Sequence, residues 1–126
     1  MNKTILVVDD EITISKMLSL LLRKHGYDVI ATIDPLKADS ILDVVTPALI
    51  ILDYMMPEMS GIELCRQLRR RTDTRDTTIF MLSALNDLAI IRESRDVGID
   101  AYFSKDEMTG RLLEAIEQHT RFTQKA

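Results

Sequence analysis

Five short apolar runs punctuate the chain: TILVV (residues 4–8), YDVIAT (27–32), ALIIL (48–52), TIFML (78–82) and AYFS (101–104). None alternates strictly between apolar and polar positions, which suits strands covered on both faces, as in parallel sheets. Between the runs the apolar spacing changes to that of a helix. In the first such segment Ile14, Met17, Leu18, Leu21 and Leu22 form one face, and Gly26 ends it after Arg23, Lys24 and His25. A glycine there accepts a left-handed backbone, and cations suit a helix C-terminus. The second opens on Asp34-Pro35, a capping side chain followed by a preset φ, and carries Ala38, Ile41, Leu42 and Val45 inward. The third begins SGIE, where Ser60 and Glu63 predict a reciprocal capping box. The fourth is expected from Asn86 to just before Gly98. The fifth is expected from about Thr109 to Arg121, with Leu112, Leu113 and Ile116 inward and Gly110 weakening its first turn.

Strand and helix therefore alternate five times. Parallel strands need crossovers, and right-handed crossovers place helices on both faces of the sheet. The expected architecture is a doubly wound α/β sandwich around a five-stranded parallel sheet, one domain over residues 1–126.

Such sheets bind ligands at the carboxyl ends of their strands, near the point where strand order reverses. The first run ends in Asp9 and Asp10 with Glu11 following, the third in Asp53, the fourth in Ser83 and the fifth in Lys105. Each has an ordinary explanation: an aspartate that caps a helix or closes a turn, a loop hydroxyl, a solvated lysine. Their conjunction at one edge of one sheet is the more informative fact. Clustered carboxylates raise one another's pKa unless a cation neutralises them. Oxygen-only donors, few in number and with room for water, favour Mg²⁺. A carboxylate so placed can attack phosphorus, with metal and lysine balancing charge on the phosphoryl oxygens.

Composition narrows the class. With 46% apolar and 29% charged residues the chain is globular rather than disordered, and its length suits one core. A net charge of -4 argues against nucleic acid or an anionic membrane as a direct partner. The single cysteine, Cys65, has no internal partner for a disulfide, which fits a reduced thiol and the cytoplasm. No signal peptide or membrane span is expected, since the N-terminal apolar run is short and meets acids at once. The basic cluster RQLRRRTDTRD (66–76) reads as a solvated helix end, and His25 and His119 lack metal-ligand spacing.

The motifs ILVVDDE, LDYMMPEMSG, MLSA and AYFSK together resemble the receiver domain of two-component response regulators, over essentially the whole chain. The resemblance implies a flavodoxin-like strand order of 2-1-3-4-5. It implies that Asp53 takes a phosphoryl group from a histidine kinase or phosphotransfer protein in a Mg²⁺-dependent reaction. Asp9 and Asp10 would hold the Mg²⁺ with Asp53 and the main-chain carbonyl of Met55, and Lys105 would contact the phosphoryl oxygens. Ser83 matches the switch hydroxyl, Tyr102 the aromatic that turns inward with it, and Pro57 and Gly61 the loop after the acceptor. The surface of the fourth helix, fifth strand and fifth helix would then control an output domain, an output protein or a second copy of this chain. The domain is a phosphoryl acceptor rather than an enzyme on this reading.

One departure stands out. The family carries Lys-Pro, commonly cis, where this chain has Lys105-Asp106; a cis bond before a non-proline residue costs ~3 kcal/mol, so a trans bond is expected. Met55 and Leu85, apolar and two residues past Asp53 and Ser83, are expected at the rim of the pocket, where they orient no attacking water and slow self-dephosphorylation. A flavin domain is disfavoured because DDE repels a phosphate where a hydroxyl- and glycine-rich loop is needed. An aspartyl-phosphate hydrolase lacks its second acid, since Met55 occupies that place. A receiver-like scaffold that binds partners without phosphorylation is the alternative. The polar ending EQHTRFTQKA fits either a terminus or the start of a linker.

Overall fold

A computed structural model describes residues 2–85 and 87–125, with side chains described through residue 119. The five apolar runs form the five strands: β1 (Thr4–Val8), β2 (Asp28–Thr32), β3 (Leu49–Asp53), β4 (Thr78–Ser83) and β5 (Ala101–Ser104). They pair in parallel in the order β2-β1-β3-β4-β5, the flavodoxin-like order. The order reverses at β1 and β3, whose C-terminal ends carry the acids.

Side-chain alternation along each strand feeds two cores. Ile5, Val7, Leu49, Ile51, Phe80, Leu82 and Phe103 pack against Leu18 and Leu22 of α1 (Ile12–Lys24) and Ile116 of α5 (Leu113–Lys125). Leu6, Val8, Ile50, Leu52, Ile79 and Met81 pack on the other face against α2 (Ala38–Leu42) and α3 (Gly61–Arg70). Fully burying one such side chain contributes about 1.5–3 kcal/mol, so the sheet is anchored by its interior alone. Helices therefore cover both faces, as expected.

Local departures have local causes. Met17 is exposed, and Ser15 and Ser19 occupy the inner face of α1 instead; where helix and strand backbones approach closely, small side chains fit better than a methionine. Asp34 caps as expected by accepting the Leu36 N–H, but the first turn is 3₁₀ and α2 stops at Leu42, leaving Val45 half-buried beyond it. Ser60 accepts the Glu63 N–H, while the Glu63 carboxylate faces the Ser60 hydroxyl, so only half of the predicted box forms. A complete box appears at Ser104 and Glu107, opening the loop after β5. The expected start of the fourth helix at Asn86 lies outside the described residues; α4 is Leu88–Val97, capped by Asp87 and ended by Gly98 at φ 103°. The fifth helical segment begins as a wide π-type turn over Met108–Leu112, which contains Gly110, before regular α5.

The basic cluster is not simply solvated. Arg69 is largely buried and donates to the carbonyls of Thr74, Arg75, Thr77 and Gly98 and to the Asp100 carboxylate. Asp100 in turn accepts the Ile79 N–H. One guanidinium thus ties the end of α3, the start of β4 and the end of α4. Arg71 joins α2 to the same region through Asp39, Asp43 and Asp73. Arg69→Met leaves several part-buried carbonyls and the Asp100 carboxylate without this donor and is expected to destabilise the fold by about 2–4 kcal/mol. Arg75→Ala, which removes only an exposed pair with Asp76, is expected to stay within about 0.5 kcal/mol. Chemical denaturation of the two variants checks the contrast.

Candidate functional site

β1 continues one residue past its end, because the Asp9 N–H donates to the Thr32 carbonyl at 3.1 Å. This delivers Asp9 to the reversal point of the sheet, where its Oδ1 accepts the Glu11 N–H at 2.9 Å. Asp9 therefore shapes the entry to α1 and faces the site as well. Asp53 is the last residue of β3, in register with Leu82, and both aspartates are almost fully buried, at 2% and 4% exposure. Asp10 is half-buried at the open side. Carboxylate oxygens of Asp9, Asp10 and Asp53 all lie within 4.8 Å of one another.

Lys105 completes the group. Its Nζ lies 3.4 Å from Asp9 Oδ2, 3.4 Å from Asp53 Oδ1 and 2.6 Å from Glu11 Oε1. Every peptide bond among the described residues is trans, the Lys105-Asp106 bond included. The loop follows a 3₁₀ turn held by the Ser104–Glu107 box, and that turn still aims the ammonium at the acids. Lys105 thus faces the acids with a trans bond and Asp106 following it.

The electrostatics follow from burial. Loss of water pushes the Asp53 carboxyl up to about 8, the negative charge of Asp9 adds to the rise, and Lys105 partly offsets it. Burial raises Asp9 too, against the Glu11 N–H and Lys105. For Lys105, burial disfavours the charged form, but the bond to Glu11 and the charges of Asp9 and Asp53 outweigh it and raise the pKa. A lone ammonium does not satisfy three acids. The donor set fits a hard divalent cation: oxygen donors only, two buried and one half-exposed, with an open side for water.

Behind the acids, Gly61 is obligatory. A Cβ there would lie 2.2 Å from the Asp53 carbonyl oxygen and 2.9 Å from Cε of Met81. The absence of a side chain lets α3 start against the acceptor strand, with the Gly61 N–H donating to the Tyr54 carbonyl at 2.8 Å. Pro57 lies exposed in that loop, as does Met55 two residues after Asp53.

Ser83 and Tyr102 meet at one residue. Ser83, 2% exposed, accepts the Leu85 N–H at 3.0 Å, and the Tyr102 hydroxyl donates to the Leu85 carbonyl. Neither is bonded to the acids; Leu85 links them to each other. Sequence reasoning noted Glu11 after the strand but gave it no part in the site, although its carboxylate lies nearest the lysine. Its signal was an acid in the capping position of α1, where glutamate is a poor cap.

Comparison with known proteins converges on one family. A model of the response regulator receiver domain matches residues 5–117. The DNA-binding dual master transcriptional regulator RpaA of Synechocystis sp. is 34% identical over 126 residues, covering 97% of this chain and 52% of RpaA. Protein PilG of Pseudomonas aeruginosa is 34% identical over 115 residues, covering 91% of this chain and 85% of PilG. The signal receiver domain of a signal transduction histidine kinase from Syntrophus aciditrophicus superposes with a TM-score of 0.88 at 28% identity, over 98% of this chain and 94% of that one. The chain spans about half the length of RpaA and of the other transcriptional regulators it resembles.

The raised Asp53 carboxyl makes stability pH-dependent in the absence of divalent ions. Between the ordinary aspartate value and about 8 the unfolded chain releases a proton that folded Asp53 retains, so stability falls as pH rises through that window. Asp53→Asn removes the penalty. In chelator it is expected to melt about 5–10 °C above the wild type at pH 8, with the gap shrinking towards pH 5. Thermal melts across that range check both size and direction.

Proposed function

The chain belongs to the response regulator receiver domain family, and from that membership we propose that Asp53 is its phosphoryl acceptor. The observation that carries the reading is Lys105, whose ammonium sits 3.4 Å from both Asp9 and Asp53 although the residue after it is not proline. The donor is a phosphohistidine on a histidine kinase or phosphotransfer protein. An Asp53 carboxylate oxygen attacks phosphorus and the P–N bond breaks. The electron pair stays on the imidazole nitrogen, and Asp53 becomes a mixed anhydride.

Asp9, Asp10 and Asp53, with the main-chain carbonyl of Met55, are the residues that would hold Mg²⁺, which when bound supplies the divalent charge that lets the acids ionise together. Asp53 must be ionised to attack, and its high pKa makes that counter-charge a requirement. Lys105 then meets the new phosphoryl oxygens. Each cycle moves one phosphoryl group, so the chain acts as a signalling domain that assists its own modification.

The output follows from Leu85. When the Ser83 hydroxyl turns to a phosphoryl oxygen it releases the Leu85 N–H, while Tyr102 holds the Leu85 carbonyl. The movement reaches α4, a helix in which only Ser94 is buried and whose C-terminal end is held by Arg69. A half-open pocket of about 130 Å³ lined by Ile91, Ser94, Arg95, Ile99, Asp100, Ala101 and Tyr102 lies between α4 and β5, so this face has room to repack. In a longer protein, an attached output segment or a second receiver would read this face. RpaA, by its name, binds DNA as a transcriptional regulator, and an output of that kind is the reading we favour. The unpaired Cys65 thiol suits the cytoplasm, where such kinases deliver phosphoryl groups.

Incubation with phosphoramidate and Mg²⁺ is expected to add one phosphoryl group by intact mass, and none to Asp53→Ala or in chelator. An unmodified wild type leaves the phosphorylation-independent scaffold. Met55 and Leu85 are 64% and 39% exposed and offer no polar group to orient water. Decay of the phosphorylated protein is expected to be several-fold faster in the Met55→Asn, Leu85→Glu double variant, read by loss of the added mass.

A further inference from the structure

Glu11 makes the shortest contact to the site's only ammonium. Its Oε1 lies 2.6 Å from Lys105 Nζ, against 3.4 Å for each of Asp9 and Asp53. At 2.6 Å the lysine is hydrogen-bonded to Glu11, while at 3.4 Å it forms longer ion pairs with the other two. Nothing about α1 requires this. Glu11 occupies the capping position, yet its side chain makes no cap bond and reaches instead to a residue 94 positions away. The exposures differ as well: the lysine side chain is 9% exposed and that of Glu11 55%.

The backbone on either side is fixed. Asp9 Oδ1 holds the Glu11 N–H, and the Glu11 carbonyl accepts the Ser15 N–H. Ser104 and Glu107 clamp the turn that carries Lys105. A change of partner at Lys105 is therefore a side-chain movement. An ammonium has three N–H donors, and three carboxylates already face this one. A phosphoryl oxygen arriving at Asp53 competes with all three for this ammonium, and Glu11, its hydrogen-bonded partner, is the competitor that lies outside the acid cluster of Asp9, Asp10 and Asp53. Charge-assisted bonds of that length are the strong ones.

We propose that Glu11 is a positioning residue that holds Lys105 in reserve at the rim of the pocket and so restrains phosphoryl transfer to Asp53, the ammonium exchanging Glu11 for phosphoryl oxygens as transfer proceeds. The proposal rests on the reading of Asp53 as acceptor. Residue 11 thus sets how readily this domain is charged.

The test is the rate of phosphorylation of the full chain by phosphoramidate at saturating Mg²⁺, followed by intact mass. Glu11→Gln, at an exposed position, is expected to react about three- to tenfold faster than the wild type. Glu11→Asp keeps the charge but is one methylene too short for the contact, and it is expected to retain at least half of that gain. With Lys105→Met in the background, Glu11→Gln is expected to change the rate by less than twofold. An unaltered or slower Glu11→Gln overturns the proposal. So does a Glu11→Asp at the wild-type rate, or a gain that survives Lys105→Met, because either result makes Glu11 a mere surface charge. A wild type that takes no phosphoryl group sinks the acceptor reading along with this one. A phosphorylated wild type without these differences sinks this one alone.

Discussion

A single ammonium facing two buried acids is the constraint around which the molecule is organised. Two aspartates at 2% and 4% exposure would each prefer the neutral form, and Lys105 does not carry enough charge to keep both ionised. The edge of the sheet is consequently short of positive charge. The divalent cation, the phosphoryl group and the lysine movement proposed above would all answer that shortage. A site with balanced charges would be more stable and would have nothing to switch.

The rest of the fold holds the shortage in place. β1 and β3 are buried on both faces and lie side by side at the reversal of strand order, so the residues following them cannot diverge. Gly61 brings α3 against the Asp53 carbonyl at a distance that any side chain would forbid. The Ser104–Glu107 box sets the direction of the chain just after β5, where Asp106 follows Lys105. Three separate backbone devices thus converge on a volume a few ångströms across.

Stiffness is distributed unevenly. Arg69 and Arg71 bind the far ends of α2, α3 and α4 to one another and to the start of β4. The near end of α4 is joined to the site through Leu85, held by Ser83 on one side and Tyr102 on the other. A helix anchored at one end, with a single buried residue along its length, is suited to pivot. The proposed relay from Asp53 to the surface of α4 and β5 would use this arrangement and leave both cores packed.

Strand positions, the two-sided burial, the doubly wound class and the convergence of Asp9, Asp10, Asp53 and Lys105 were legible along the chain. Each depends on periodicity or on which residue ends a strand, and both are local properties. Met17 was misplaced because helical spacing defines a face but not how closely the sheet approaches it. Arg69 was read as solvated because most of its partners, the carbonyls of Thr77 and Gly98 among them, are backbone atoms that carry no mark in the sequence, and Asp100 lies 31 positions away. The pairing of Glu11 with Lys105 spans 94 positions, and the joining of Ser83 to Tyr102 passes through the main chain of Leu85. Sequence alone determined which chemical groups reach the edge of the sheet. Only the tertiary structure decided which of them touch, because hydrogen bonds and ion pairs depend on distances of an ångström or less that are set once every element has packed.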